Sequence, residues 1–349
     1  MKHTKYAALL LAEMAAITAL TSCTGLTGGQ PEKHTRDIYA MNTFMSLTAY
    51  GDNAQDALDE TAERITSLEK ELSVTLPDSD ISRLNASGSA ELGADALAII
   101  AAADKVSRQT DGALDISIYP VVKAWGFTTG EHRIPDEQEL SDLLTRVDYT
   151  QLKVSGSSVT LPEGFEIDLG ALAKGYTSDY AAETIHGNGI SSAILNLGGN
   201  VCAVGTKPDG TPWKVAVASP FDDVEYLGIL EVQDKSVITS GKYERCFTAD
   251  GKRYHHIIDP STGYPSENGV EAVTVIGSSG VECDALSTAL LVLGEKKAVE
   301  YWREYGKQES CEDGGFELLI VTSDRRLIVT SGAALNFTDR CGFPMQIVE

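Results

Sequence analysis

Apolar residues recur along the chain with two spacings, one near 3.6 residues that is typical of amphipathic helices and one of two residues that is typical of half-buried strands. The helical spacing predicts helices at residues 53–72, 94–108 and 296–305, around 284, and from 173 to the Gly-Asn-Gly at 187–189. The shorter spacing predicts strands at residues 38–50, 193–197, 213–218, 227–232, 253–258, 272–276, 317–321 and 326–329. We therefore expect an α+β fold with mixed, mostly antiparallel sheets flanked by helices.

The N-terminus has the anatomy of an export signal. Lys2 and Lys5 precede an apolar stretch at residues 7–20, and Leu-Thr-Ser-Cys follows at residues 20–23. This stretch is too short to span a bilayer, which needs roughly 17 to 25 apolar residues. Because Leu-Thr-Ser-Cys also resembles the lipobox of bacterial lipoproteins, Cys23 is the expected lipidation site. An ordinary secreted protein cleaved nearby is the alternative.

This interpretation divides the chain into three parts. Residues 1–22 would be a lipoprotein signal peptide, residues 23–36 a polar, lipid-anchored tether, and residues 37–349 one large unit without an internal linker. The expected location is the cell membrane, on its extracytoplasmic side, with the lipid as the membrane contact.

The charge of the chain is strongly acidic, with a formal net charge of −23 at pH 7. Phosphate backbones repel such a chain, so nucleic acid is excluded as a partner. A phosphate-bearing ligand would need a local site, and a metal ion would supply positive charge there. Beyond Cys23 the cysteines show no Cys-x-x-Cys spacing, so neither a zinc knuckle nor a redox dithiol is predicted.

Residues 254–265 carry the first candidate chemistry, with the sequence YHHIIDPSTGYP. They predict a strand that ends in a turn, because proline presets one backbone angle and glycine supplies a left-handed one. His256 titrates near neutrality, and beside a carboxylate such as Asp259 it could take a proton from an attacking hydroxyl. A core histidine hydrogen-bonded to its neighbours is the alternative.

The predicted helix around residue 284 carries the second candidate chemistry. Asp284 and Thr288 are four residues apart, which places a carboxylate and a hydroxyl on one face. Such oxygen ligands favour Mg²⁺, which is usually held by one or two protein carboxylates together with substrate phosphates. Alternatively, Asp284 caps the helix and Thr288 bonds back to a carbonyl.

Three glycine-containing segments add weaker signals. Residues 167–176, IDLGALAKGY, place Asp168 and Lys174 at a strand-to-helix junction, where an anion could bind, although an N-cap and turn would give the same pattern. Residues 111–115 and 195–200 predict turns or close backbone approaches. Walker A, Gly-x-Ser-x-Gly and His-Glu-x-x-His motifs are absent, which disfavours P-loop nucleotidases, serine hydrolases and zinc proteases.

Taken together, these segments closely resemble the ApbE family of FAD:protein FMN transferases over nearly all of residues 37–349. The resemblance rests on these segments in order: 41–43, 77–85, 111–115, 125–127, 167–176, 196–200, 239–241, 254–265 and 284–288.

The resemblance implies an enzyme that moves the FMN half of FAD onto a threonine or serine of an acceptor redox protein and releases AMP. It implies that Ala171, through its carbonyl, Asp284 and Thr288 hold Mg²⁺, and that His256 is the base. The implied residues of the FAD site are Met41, Ala113, Leu114, Asp115, Asp168, Lys174 and Ile257. The implied acceptor is a membrane-associated electron-transfer subunit.

Two positions depart from the family pattern. Thr75 stands where many members have a tyrosine near the flavin, and Ser261 replaces the arginine of the Asp-Pro-Arg-Thr-Gly form. The first would weaken flavin stacking, and the second would alter how the turn meets phosphate or partner. Two other functions stay open: an FAD pyrophosphatase giving FMN and AMP, in which water is the nucleophile, and a non-catalytic flavin-binding lipoprotein.

Overall fold

The computed structural model describes residues 31–307 and 315–349. The predicted signal peptide, Cys23 and most of the predicted tether lie outside these residues. None of the helices in the two described ranges is both long and apolar enough to cross a membrane.

Seventeen β-strands lie in the described residues: β1 Lys33–Ala40, β2 Thr43–Tyr50, β3 Ser89–Glu91, β4 Lys153–Ser155, β5 Ser158–Thr160, β6 Ser192–Leu197, β7 Asn200–Gly205, β8 Trp213–Ala218, β9 Tyr226–Val232, β10 Lys235–Gly241, β11 Cys246–Ala249, β12 Lys252–His255, β13 Val270–Gly277, β14 Phe316–Thr322, β15 Leu327–Thr330, β16 Phe337–Asp339 and β17 Met345–Val348. Within the same ranges the α-helices are α1 Ala54–Leu72, α2 Asp80–Ser87, α3 Ala94–Gln109, α4 Tyr119–Ala124, α5 Glu137–Leu144, α6 Ala173–Gly187, α7 Gly280–Leu293, α8 Glu295–Tyr301 and α9 Ser331–Ala334.

The largest sheet has nine strands in the order β1-β2-β6-β7-β10-β13-β14-β15-β17. Its pairs are antiparallel except for β15 and β17. Alternating residues of β13 to β15 enter two separate cores, as expected for the two faces of a strand. Helices α3 and α7 cover one face, and the small sheet β16-β9-β8 covers the other. The predicted α+β fold with mostly antiparallel sheets is confirmed.

Most predicted elements are present, but residues 38–50 do not form one strand. They belong to the hairpin of β1 and β2, whose turn residues Met41 and Asn42 have φ of 49° and 60°. Two left-handed residues are what a two-residue hairpin turn requires, although neither is glycine. The hairpin starts at Lys33, inside the stretch predicted as tether.

Two further predicted elements end differently. Strand β12 ends at His255, so residues 256–258 lie in the turn segment beyond it. The predicted helix at 296–305 is α8 followed by one π-helical turn, Trp302–Gly306. The glycine pair in residues 195–200 forms the hairpin turn between β6 and β7, with φ of 69° at Gly198 and 101° at Gly199.

Helices α6 and α7 pack closely, and each supplies the carboxylate that caps the other. Asp284 of α7 accepts the Gly175 N–H through Oδ2 at 2.8 Å, in the first turn of α6. Asp179 of α6 accepts the N–H groups of Gly280 and Val281 at 2.5 and 2.9 Å, in the first turn of α7. Because the first N–H groups of a helix have no partner within it, the two carboxylates satisfy donors across the contact.

The close approach requires glycine at position 175. A Cβ atom there would lie 2.2 Å from the Gly280 carbonyl oxygen and 2.6 Å from the Asp284 Cβ. We expect Gly175→Ala to lower the free energy of unfolding by about 3 kcal/mol, the upper end of the usual cost of overpacking. Gly187→Ala, in the same helix with nothing within 4 Å, is the matched control and should be neutral or slightly stabilising. Urea denaturation of both variants checks this, and equal stability of the two would contradict it.

Candidate functional site

A cavity lies where the start of α6, the middle of α7, the end of β10 and the segment after β12 meet. Its empty volume, which includes space open to solvent, is about 1080 Å³. The predicted site residues that line it are Ala113, Leu114, Asp115, Asp168, Ala171, Lys174, His256, Ile257, Asp284 and Thr288. Segments separated by up to 175 positions in sequence thus line one cavity.

Met41 is absent from this lining and lies in an adjoining cavity. Both cavities are lined by the same six residues, Phe127, Thr128, Asp168, Gly170, Lys174 and Arg245. Met41 is held at the hairpin turn, where its N–H donates to Glu69 Oε1 at 2.8 Å. Thr75 lines the same adjoining cavity, so the first departure from the family pattern faces this part of the cleft.

The α7 wall holds Asp284 and Thr288. Asp284 is only 4% exposed, and its burial raises the pKa of the carboxyl, an effect that nearby Lys174 and the Gly175 N–H oppose. The hydroxyl of Thr288 lies 3.0 Å from the Ser240 hydroxyl. Ser279 rather than Asp284 caps α7, so the capping alternative is wrong for this helix, although Asp284 does cap α6.

His256 is fixed by the carbonyl of Arg245. That oxygen accepts the His256 N–H at 3.0 Å and lies 3.3 Å from the ring Nδ1. Since a carbonyl can only accept, this contact requires the proton on Nδ1 and leaves Nε2 as the acceptor. Burial, with Arg245 nearby, lowers the pKa of His256 to about 3, so the ring is neutral at physiological pH.

The expectation that the Asp259 carboxylate lies beside His256 and assists it as a base is wrong. The Asp259 carboxylate accepts both the N–H and the hydroxyl of Ser261, at 2.8 and 2.7 Å, and so it braces the turn. The left-handed residue of that turn is Gly263, with φ of 73°, as the sequence predicted. Ser261 lines a separate groove rather than the main cavity.

Two further aspartates, Asp115 and Asp168, line the cavity. Asp115 is buried, and it accepts from the N–H and hydroxyl of Ser117 and from the Tyr149 N–H. Asp168 accepts the Gly170 N–H at 2.9 Å. This hydrogen bond forms the turn that the sequence pattern offers as the alternative to an anion site. Burial raises the pKa of both carboxyl groups. Each aspartate therefore holds nearby backbone N–H groups in place and also lines the cavity with a polar side chain.

Several residues of the site were missed from the sequence. Asn85 pairs through its side chain with both backbone groups of Ile167, at 2.8 Å each, and so fixes the approach to Asp168. Glu244 and Arg245 reach the cavity from the loop after β10. No local motif marks these two residues, because the pairing of distant strands brings them to the site.

The profile of the ApbE family matches residues 41–311. The chain belongs to the ApbE family. Among curated relatives, the FAD:protein FMN transferase of Treponema pallidum is 33% identical over 296 residues, which cover 79% of this chain and 80% of that protein. The family resemblance drawn from the sequence is confirmed, and so is the interpretation of this ApbE-family chain as an enzyme of that transferase class.

Solved ApbE structures share the fold. The crystal structure of the ApbE protein from Thermotoga maritima has a TM-score of 0.80 and 29% identity, covering 88% of this chain and all of that chain. The flavin transferase ApbE from Vibrio cholerae has a TM-score of 0.77 and 26% identity, covering 88% and 99% of the two chains. The overall fold of this chain, which includes the β1–β2 hairpin and the α6–α7 pair, is therefore that of ApbE proteins.

Proposed function

We propose that this protein transfers the FMN part of FAD to a threonine or serine hydroxyl of an acceptor protein, releases AMP, and requires Mg²⁺. The observation that carries the proposal is the convergence of Asp284, Thr288, Lys174 and His256 on one cavity. The names of the relatives, FAD:protein FMN transferases, support FAD as substrate and a protein as acceptor.

The charge of the cavity supports a divalent cation. Among the described residues its walls carry four carboxyl groups and two cations: Asp115, Asp168, Glu244, Asp284, Lys174 and Arg245. A pyrophosphate entering this acid excess needs more positive charge than the walls supply.

The available donors fit magnesium better than a softer metal. The described residues contain no group of three or more His, Cys, Asp or Glu side chains suited to a metal. One carboxylate from Asp284, one hydroxyl from Thr288 and the Ala171 carbonyl remain, a sparse oxygen set of the kind Mg²⁺ uses with substrate phosphates. When bound there, Mg²⁺ would neutralise charge on the phosphate oxygens and make the phosphoanhydride easier to break.

Side chains of the protein bind the ligand, orient it and accept a proton. Lys174, in the first turn of α6, attracts the phosphates, and Asp168 with the backbone of residues 113–115 orients the ligand. His256 Nε2 accepts the proton of the attacking hydroxyl, so that oxygen can attack phosphorus opposite the AMP leaving group. The P–O bond to AMP breaks as the new P–O bond forms.

The low pKa of His256 gives a pH prediction. A base with a pKa lowered to about 3 is deprotonated above that pH and is lost only as the pH falls through it. Because kcat/KM reports the free enzyme, kcat/KM for FAD should show no histidine limb near pH 6.5. The check is a profile from pH 5.5 to 8 at constant free Mg²⁺ and saturating acceptor. An acid limb near 6.5 would contradict it.

The proposed location follows from the predicted lipid anchor, and the proposed acceptor from the family resemblance. We propose that Cys23 is acylated, that the enzyme is held on the extracytoplasmic face of the cell membrane, and that it modifies a membrane-associated electron-transfer subunit. Metabolic labelling with a palmitate analogue tests the first point, with Cys23→Ser as the control. Unchanged labelling of that variant would refute lipidation at Cys23.

The transfer itself is tested with FAD, Mg²⁺ and a threonine-bearing acceptor. Mass spectrometry should find one FMN added to the acceptor and AMP in solution. Steady release of FMN and AMP without the adduct would favour the pyrophosphatase. Tight binding of FAD that is recovered intact would favour a non-catalytic flavin-binding lipoprotein.

A further inference from the structure

One buried polar group beside the site takes no part in the proposed transfer. Asn200 is the first residue of β7, directly after the two-glycine turn, and it is only 3% exposed. Its side-chain nitrogen is buried and has no partner among the described groups within normal hydrogen-bond distance and angle. Burial raises the pKa of the Asp284 carboxyl, and the Asn200 amide is nevertheless close enough to that carboxyl to oppose the rise, so the Asp284 carboxylate is the group that the amide faces.

The Asp284 carboxylate is the acceptor that suits this donor. Its Oδ2 already accepts the Gly175 N–H at 2.8 Å. A buried amide without a partner costs about 1 to 3 kcal/mol, whereas a hydrogen bond to an ionised group contributes about 1.5 to 3 kcal/mol. A small rotation of either side chain would therefore remove a penalty and gain a charge-assisted bond.

We propose that Asn200 is a positioning residue for the cation site, and this proposal rests on the proposed function. Its amide donates to the Asp284 carboxylate when a cation is held there, and the Gly175 N–H and the Asn200 amide together fix the carboxylate plane. The lone pair of the carboxylate that faces the cavity is then aimed at the cation. Removing such an outer partner typically weakens metal affinity by about 10- to 100-fold.

The backbone of the turn makes this role specific to position 200. Gly198 and Gly199 adopt left-handed φ, and Asn196 closes the turn by accepting the Gly199 N–H at 2.9 Å on its exposed side chain. Asn196 is therefore a matched control: it is an asparagine in the same turn, and Asn196→Asp keeps the acceptor that the turn needs.

The experiment measures Mn²⁺ binding by electron paramagnetic resonance on the whole folded enzyme. Asn200→Leu, which keeps most of the volume, and Asn200→Ala should raise the Kd for Mn²⁺ by about 10- to 100-fold. Asn196→Asp should leave it unchanged, and Asp284→Ala should abolish binding. The Mg²⁺ concentration for half-maximal transfer should rise by the same factor, with kcat at saturating Mg²⁺ within a few-fold of the parent.

The contrary results are distinct. If the Asn200 variants melt at lower temperature but bind Mn²⁺ like the parent, Asn200 is a structural residue and the proposal is wrong. If the parent itself neither binds Mn²⁺ nor transfers FMN, the proposed function fails instead. Should no Asn200 variant fold, crystals of the parent with Mn²⁺ decide: Nδ2 within about 3.2 Å of an Asp284 carboxylate oxygen supports the proposal, and a longer separation overturns it.

Discussion

Asp284→Ala should abolish metal-dependent FMN transfer, with a fall in rate on the order of 10³-fold or more. The variant removes the carboxylate from the proposed oxygen ligand set, whose cation is worth several kcal/mol of transition-state stabilisation. Each 1.4 kcal/mol or so corresponds to a factor of ten in rate. Transfer rates over a Mg²⁺ titration check this, and the loss should not be recovered at high Mg²⁺.

Because Asp284 also caps α6, a second variant separates charge from structure. Asp284→Asn keeps an oxygen for the Gly175 N–H but has no negative charge, so it should fold like the parent and still lose turnover. Asp142→Ala, an exposed aspartate on α5, is the control and should keep full activity. Full activity in Asp284→Asn would refute the assignment of Asp284 as a metal ligand.

His256→Ala should slow transfer by roughly 10² to 10⁴, the usual contribution of a positioned acid or base, and should spare FAD binding. His256 lines the cavity and its Nδ1 lies at the Arg245 carbonyl, so the substitution removes the proposed proton acceptor and leaves Lys174 in place. Single-turnover rates, together with the Kd for FAD from quenching of flavin fluorescence, separate the two effects.

His186→Ala, on the exposed last turn of α6, is the matched control for this experiment. It should leave both the rate and the affinity for FAD unchanged. An unchanged transfer rate in His256→Ala would assign His256 a structural role. Equal losses of rate and FAD affinity would place it in substrate binding instead.

Local patterns were sufficient to predict most of the helices. Helix α1 was predicted within one residue at its start, because its apolar positions recur with a clear helical period and bury one face. The β1–β2 hairpin was missed because Met41 and Asn42 carry none of the glycine that usually marks left-handed turn residues. Their conformation depends on the sheet around them rather than on their own preference.

The residues of the site also divide into those that local sequence patterns predict and those that they do not. Motif residues such as Asp168 and Asp284 were predicted because each lies in a recognisable local segment. Glu244 and Arg245 were not, since strand pairing across distant parts of the chain brings them to the cavity. The cross-capping of α6 and α7 was equally hidden, because Gly175 and Asp284 are 109 positions apart.

That cross-capping has a mechanical consequence. Lys174 sits on one of the two helices and Asp284 on the other, yet neither helix can slide or rotate alone without breaking the charge-assisted bonds at both ends of the contact. The side chains proposed to hold the cation and to attract the phosphates are thus tied to one interlocked pair of helices. A shift of either helix would break these bonds and change the separation of Lys174 and Asp284.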